Sequence, residues 1–150
     1  MRAARIGTSR RREMNSNSKR SYSGVLLLHG ATVMLCKRRE DSPVGGYWSV
    51  PCGEIEKGES AFRAAQRELE EETEIIIDEA MLEYITAFKA HDGGRFNLYL
   101  YRSSAFLSPV LDEEHTEWGY FRLDRIEDVY INKRLMDALL FLREKFLNCE

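Results

Sequence analysis

Glu68, Glu71 and Glu72 stand three and four positions apart in a run that reads as helix. At about 3.6 residues per turn, their carboxylates project from one face. Three carboxylates so close repel one another, and helix stability gains nothing from the arrangement. A hard divalent cation relieves the repulsion, because Mg2+ prefers oxygen ligands. Ala64 falls on the same face one turn earlier and leaves room for a metal and phosphates, while Phe62 and Leu69 point toward a core. Arg67 lies four residues from Glu71, close enough to pair with it. A charge run is ordinarily a solvated face, and these three acids alone do not displace that reading.

The flanking residues do. Gly53, Glu59, Arg67, Glu68, Glu71 and Glu72, with aliphatic Leu69 and Ile75, fit the pattern G-x5-E-x7-R-E-U-x-E-E-x-G-U, where U is a bulky aliphatic. At roughly one in fifteen per fixed residue, six coincide by chance on the order of once in ten million windows. The stretch 53–75 resembles the Nudix box. Around it, Trp48 to Pro51 is similar to the strand entering the box, Leu35 to Arg39 to the preceding strand with its arginines, and Glu114 to Phe121 to a later acidic segment. The resemblance covers about residues 22–147, but only the box is specific. Two positions depart from the family. Glu74 stands where the box has a helix-ending glycine, and Cys52 where a second glycine is usual. A left-handed Glu74 would cost roughly 1–2 kcal/mol.

The resemblance implies a hydrolase cutting the pyrophosphate link of a nucleoside diphosphate joined to a further group. Glu68, Glu71 and Glu72 would hold Mg2+, with Mn2+ able to substitute. Such chemistry needs charge neutralisation more than a covalent intermediate. Arg67 would orient the box carboxylates, and Glu59 would support the loop or a metal. The general base would be Glu68 or a loop acid, Glu114 first with Glu117 and Glu113 behind it. Arg38, Tyr47 and Gly53 are the expected substrate contacts; Trp48 is a core candidate. His29, His91 and His115 show no metal-ligand spacing and receive no role. (Deoxy)nucleoside triphosphates rank first as substrates, then sugar nucleotides and dinucleoside polyphosphates. The ADP-ribose branch carries a proline after its box, and none occurs between Pro51 and Pro109. Two other classes stay open: a nucleotide-binding sensor that does not cut, and an RNA-processing enzyme gripping RNA with its basic leader.

The elements that must position these groups follow from periodicity and turn residues. Tyr22–His29, Ala31–Lys37, Tyr47–Val50 and Glu117–Leu123 read as strands. Leu82–Ala90 and Arg95–Ala105 read as a hairpin turning on Asp92-Gly93-Gly94. Helices are expected at Glu59–Thr73 and at Lys133–Leu147, the latter with Asn132 as N-cap and Leu135, Leu139, Leu142 and Phe146 on one side. Together these predict an α+β, α-β-α sandwich: a mixed sheet packed between helices.

Composition bounds the rest. The 150 residues suit one domain, expected over 21–150, with 43% apolar and 31% charged residues of ordinary globular kind. Residues 1–20 carry a net +6 and little to bury, so they read as a disordered basic leader, ahead of a weak likeness to a transit segment or an upstream start before Met14. The remainder is net −9, a poor general surface for nucleic acid. The expected partner is a small nucleotide, without a stable nucleic-acid complex or a membrane; a homodimer is left open. Three cysteines, Cys36, Cys52 and Cys149, without C-x-x-C spacing, speak against a disulfide framework or zinc and for a reducing cytoplasm.

Overall fold

The apolar run Val25–Leu28 lies in β1, the strand on which the sheet is built. In the computed structural model, which describes residues 19–42 and 45–147, the strands are β1 (Ser21–His29), β2 (Thr32–Arg38), β3 (Trp48–Ser49), β4 (Cys52–Glu54), β5 (Leu82–Lys89), β6 (Arg95–Arg102) and β7 (His115–Arg122). Helix α1 (Ala61–Thr73) follows β4, and α2 (Lys133–Leu147) ends the described chain. Short 3-10 segments occupy Glu79–Met81 and Leu123–Asp128. The sheet is mixed, as expected: β1 runs parallel to β6, whereas the β1–β2, β2–β7 and β5–β6 pairs are antiparallel.

Period-two alternation sends successive side chains to opposite faces. Leu26, Leu28, Val33, Leu35, Leu98 and Leu100 meet Leu135, Leu139 and Leu142 of α2. Val25, Leu27, Met34, Cys36 and Tyr99 meet Ala65 and Leu69 of α1. A helix therefore covers each face, which gives the sandwich. With both faces covered, β1 is buried from Ser23 to Leu28 and reads as a continuous apolar run, not an alternating one. No helix among the described residues is long and apolar enough to cross a membrane.

Several boundaries differ from expectation, each for a local reason. Strand β3 stops at Ser49, not Val50, and the chain turns at Pro51 into β4, which the sequence reading missed. Strand β4 is three polar or small residues, Cys52–Glu54, held by antiparallel pairing to β1. Helix α1 starts at Ala61, not Glu59, because the Ser60 hydroxyl accepts the Arg63 N–H at 3.1 Å and caps the first turn. Strand β6 ends at Arg102, while β7 begins earlier, at His115, opposite Arg38. The β5–β6 turn holds Gly93 at φ 88°, and Asp92 Oδ1 accepts the Gly94 N–H at 2.8 Å. Asn132 caps α2 by accepting the Arg134 N–H at 2.9 Å. The expected leader and Cys149 lie outside the described residues, Lys19 and Arg20 excepted. Arg20 pairs with Glu54 at 3.3 Å.

Candidate active site

Arg67 is the organiser of the carboxylate face. Its guanidinium forks onto Glu59, with Nε to Oε2 at 2.7 Å and Nη2 to Oε1 at 2.9 Å. The same group reaches the Glu54 carbonyl at 3.0 Å, Glu68 at 2.9 Å and Glu71 at 3.3 Å. Burial alone would lower its pKa, but the Glu59 hydrogen bonds with the Glu68 and Glu59 charges outweigh this and hold it above the ordinary arginine value. Glu59 also accepts the Glu56 N–H at 3.0 Å. Glu59 thus joins the loop before α1 to Arg67, and Arg67 carries that order to Glu68 and Glu71.

The three helix acids take different places. Glu68 and Glu72 are buried, whereas Glu71 is half-buried at the rim beside Arg67. Glu68 lies against Gly53: a Cβ there would fall on its carboxylate, so this backbone position has no room for a side chain. Glu72 Oε1 accepts the Cys52 N–H at 3.1 Å. Burial first, then the neighbouring Glu68 carboxylate and its hydrogen bond, then Asp112, raise the Glu72 pKa well above the ordinary carboxylate range, against an opposing pull from Arg38.

A loop from the other side of the sheet completes the group. The carbonyls of Glu72 and Thr73, at the end of α1, accept the Asp112 N–H at 3.2 Å and the Val110 N–H at 2.8 Å. Carbonyls at that end have no partner within the helix, so the loop docks on them. Among the described residues, Glu72, Asp112 and Glu114 each offer a carboxylate oxygen, all within 4.8 Å of one another. Asp112 was not foreseen, and His115, given no role above, is buried between Asp112 and Glu72, at 2.8 and 3.8 Å. The run Asp112-Glu-Glu-His115 was the available signal. Glu117 instead pairs with Lys37 on β2 at 3.6 Å, and the Glu113 carbonyl accepts from Arg39.

These acids border a cleft of about 390 Å³. Arg38 lines it, pairing through Nη2 with Glu114 at 3.5 Å. Its Nε is buried without a hydrogen-bond partner, a donor suited to an anionic oxygen. Away from the acids the wall turns aromatic: Phe88 and Phe96 stack at 4.8 Å, and Tyr22 meets His91 at 5.4 Å. Sequence reasoning missed this wall, because it forms only where the β5–β6 hairpin meets β1. Tyr47 lines the opposite side and stacks on Tyr130 at 4.3 Å. Trp48 also lines the cleft while packing on the α2-side core.

The arrangement excludes one chemistry and suits another. The Cys52 thiol, in the cleft, is pushed up to about 12 by desolvation and then by Glu72, and burial likewise raises the Cys36 thiol; neither is a nucleophile near neutral pH. Buried carboxylates need a compensating cation. An all-oxygen donor set of this kind fits a hard divalent ion such as Mg2+. The aromatic wall fits a planar base.

The helix end carries one further departure. Glu74 sits at φ 59°, ψ 18°, donating its N–H to the Glu70 carbonyl at 2.8 Å. The helix therefore ends left-handed although glycine is absent. Thr73 supports the turn, its hydroxyl donating to the Leu69 carbonyl and accepting the Ile75 N–H.

Comparison with known proteins places this geometry. The NUDIX domain matches residues 18–139. Over 59 residues the chain is 41% identical to an RNA pyrophosphohydrolase of Erythrobacter litoralis (strain HTCC2594), a match covering 39% of this chain and 36% of that one. Over 58 residues it is 47% identical to an octanoyltransferase of Myxococcus xanthus, covering 39% of this chain and 16% of that one. The chain thus spans well under half the length of the curated relatives it matches. Among solved structures, the NUDIX domain of Shewanella oneidensis NrtR, complexed with ADP ribose, superposes with a TM-score of 0.73 at 16% identity, covering 87% of this chain and 90% of that one. At that identity the likeness speaks for the fold.

Proposed function

Because the chain belongs to the NUDIX domain family, we propose that it is a Mg2+-dependent hydrolase cutting the diphosphate link of a nucleotide, with a (deoxy)nucleoside triphosphate as first choice. The observation that carries this reading is the meeting, in one cleft, of buried Glu72 with Asp112 and Glu114, all within 4.8 Å. Glu72, Asp112 and Glu114 would hold the cation together with Glu68, and Glu71 would serve it from the rim. When bound, the cation neutralises the diphosphate and lowers the pKa of attacking water.

The chain's own residues do the rest. Arg67 keeps Glu68 and Glu71 facing the cleft through the contacts given above. Arg38 offers its buried Nε to a phosphate oxygen, acting as a charged donor where negative charge builds. Glu114 takes the proton from attacking water; it faces the cleft with its carboxylate partly exposed, whereas Glu68 Oε2 is occupied by Arg67. Gly53 keeps the backbone close to the reacting phosphates. The base lies on the Phe88–Phe96 wall, with Tyr47 opposite.

A second reading has its own support. The relative named RNA pyrophosphohydrolase is 41% identical over 59 residues, and Arg20 and Lys89 line the same cleft. The substrate would then be the triphosphorylated 5′ end of an RNA, cut at the same kind of bond. Product masses from a panel of nucleoside triphosphates, sugar nucleotides, dinucleoside polyphosphates and a 5′-triphosphorylated oligonucleotide, each with Mg2+, separate the readings. The first predicts a nucleoside monophosphate and pyrophosphate; intact substrates across the whole panel would refute both.

A further inference from the structure

His115 lies deeper than any group a substrate could reach. Its side chain is 1% exposed, and its ring contacts carboxylates from two elements. Nδ1 stands 2.8 Å from Asp112 Oδ1. An ionised carboxylate only accepts, so Nδ1 carries the proton and donates. Nε2 stands 3.8 Å from Glu72 Oε1. His115 is the first residue of β7, paired opposite Arg38 in the β2–β7 register, so its backbone is fixed by the sheet.

Asp112 has no comparable anchor of its own. It sits in a loop, and what orders it is a small set of hydrogen bonds. Its N–H reaches the Glu72 carbonyl at 3.2 Å, and its Oδ1 accepts both the His115 ring and the Glu114 N–H, the latter at 3.2 Å. Asp112 therefore joins three things: the end of α1, the ring of His115 and the backbone of Glu114. Withdrawing the ring leaves a fully buried carboxylate short of a donor, a condition that drives such a group to turn toward water. The Glu114 backbone bond is made to that same oxygen, so Glu114 would shift with it.

We propose that His115 is a positioning residue of the site: acting from the sheet through Asp112, it holds the two loop carboxylates against Glu72 and so sets the affinity for the divalent cation. The inference rests on the metal-dependent reading above. It assigns His115 no contact with substrate and no part in the chemical step. Partners that orient metal ligands from behind commonly change metal affinity by about 10- to 100-fold when removed.

Two polar substitutions of similar size isolate the contact. The amide nitrogen of asparagine stands where Nδ1 stands, and that of glutamine where Nε2 stands. His115→Asn keeps the donor to Asp112; His115→Gln loses it. The measurement is Mn2+ binding followed by electron paramagnetic resonance, beside Mg2+ titrations of nucleotide turnover and thermal melts of the metal-free proteins. The expected result is near wild-type Mn2+ affinity in His115→Asn and a loss of about 10-fold or more in His115→Gln. Turnover of His115→Gln should then recover at high Mg2+ with KM for nucleotide unchanged. Equal Mn2+ affinity in wild type and both variants, whatever their melting temperatures, overturns the inference alone. A wild type that binds no Mn2+ overturns the metal reading, and this inference with it.

Discussion

Replacing Glu74 by glycine should stabilise the protein. Glu74 holds φ 59° at the end of α1, the described non-glycine residue with positive φ. In that conformation a Cβ crowds the following carbonyl, at about 1–2 kcal/mol. The residue also places an anion at the negative end of the helix dipole, and removing it adds a few tenths of a kcal/mol at this exposed position. Against this, glycine enlarges the entropy of the unfolded chain by about 0.4–1 kcal/mol. The Glu74 side chain has an interaction that would be lost, and at an exposed position it is worth a fraction of a kcal/mol. The balance is a gain of about 0.5–1 kcal/mol, or roughly 2–4 °C in Tm for a fold of this size. Denaturant melts of wild type, Glu74→Gly and Glu74→Asn test it. Asparagine tolerates the left-handed region, so it should fall between the other two. A clear destabilisation by glycine would show that the side chain of Glu74, and not its backbone, governs how the helix ends.

Two further predictions concern the acids. Gly53→Ala should lower stability by about 1–3 kcal/mol and reduce turnover, because the new methyl group meets the Glu68 carboxylate; unchanged melts and rates would show that Glu68 is free to move. Metal-free protein should lose stability as pH rises from about 4.5 toward the raised folded pKa of Glu72, since the folded state there holds a proton that the unfolded state has released. Saturating Mg2+ should remove that loss, and identical pH–Tm curves with Mg2+ and with EDTA would contradict it.

Local features of the site were readable in the sequence, and non-local ones were not. The helix carrying Glu68, Glu71 and Glu72 is set by spacing, and the Arg67–Glu71 pair is a four-residue relation. The burial of β1 follows from its apolar run. Asp112 and His115 join the site across about forty residues, through hydrogen bonds to the end of α1 and through the β2–β7 register; no periodicity encodes that. His115 lacks metal-ligand spacing because its partners are carboxylates on other elements. Strand β4 escaped notice because Cys52–Glu54 has neither β-branched residues nor length and is held by pairing with β1 alone. The Cys52 departure proves mild for a backbone reason: what reaches Glu72 is its N–H, which any residue but proline supplies.

The central claim, that Glu72 holds the cation on which diphosphate hydrolysis depends, is tested most directly by a Mg2+ titration of nucleoside triphosphate turnover in wild type and Glu72→Gln. Glutamine keeps the shape and an acceptor for the Cys52 N–H while removing the charge. The account predicts turnover by wild type that vanishes with EDTA, a loss of about 100-fold or more in Glu72→Gln at every Mg2+ concentration, and a folded variant by circular dichroism. Wild-type rates in Glu72→Gln, or full activity in EDTA, would contradict it.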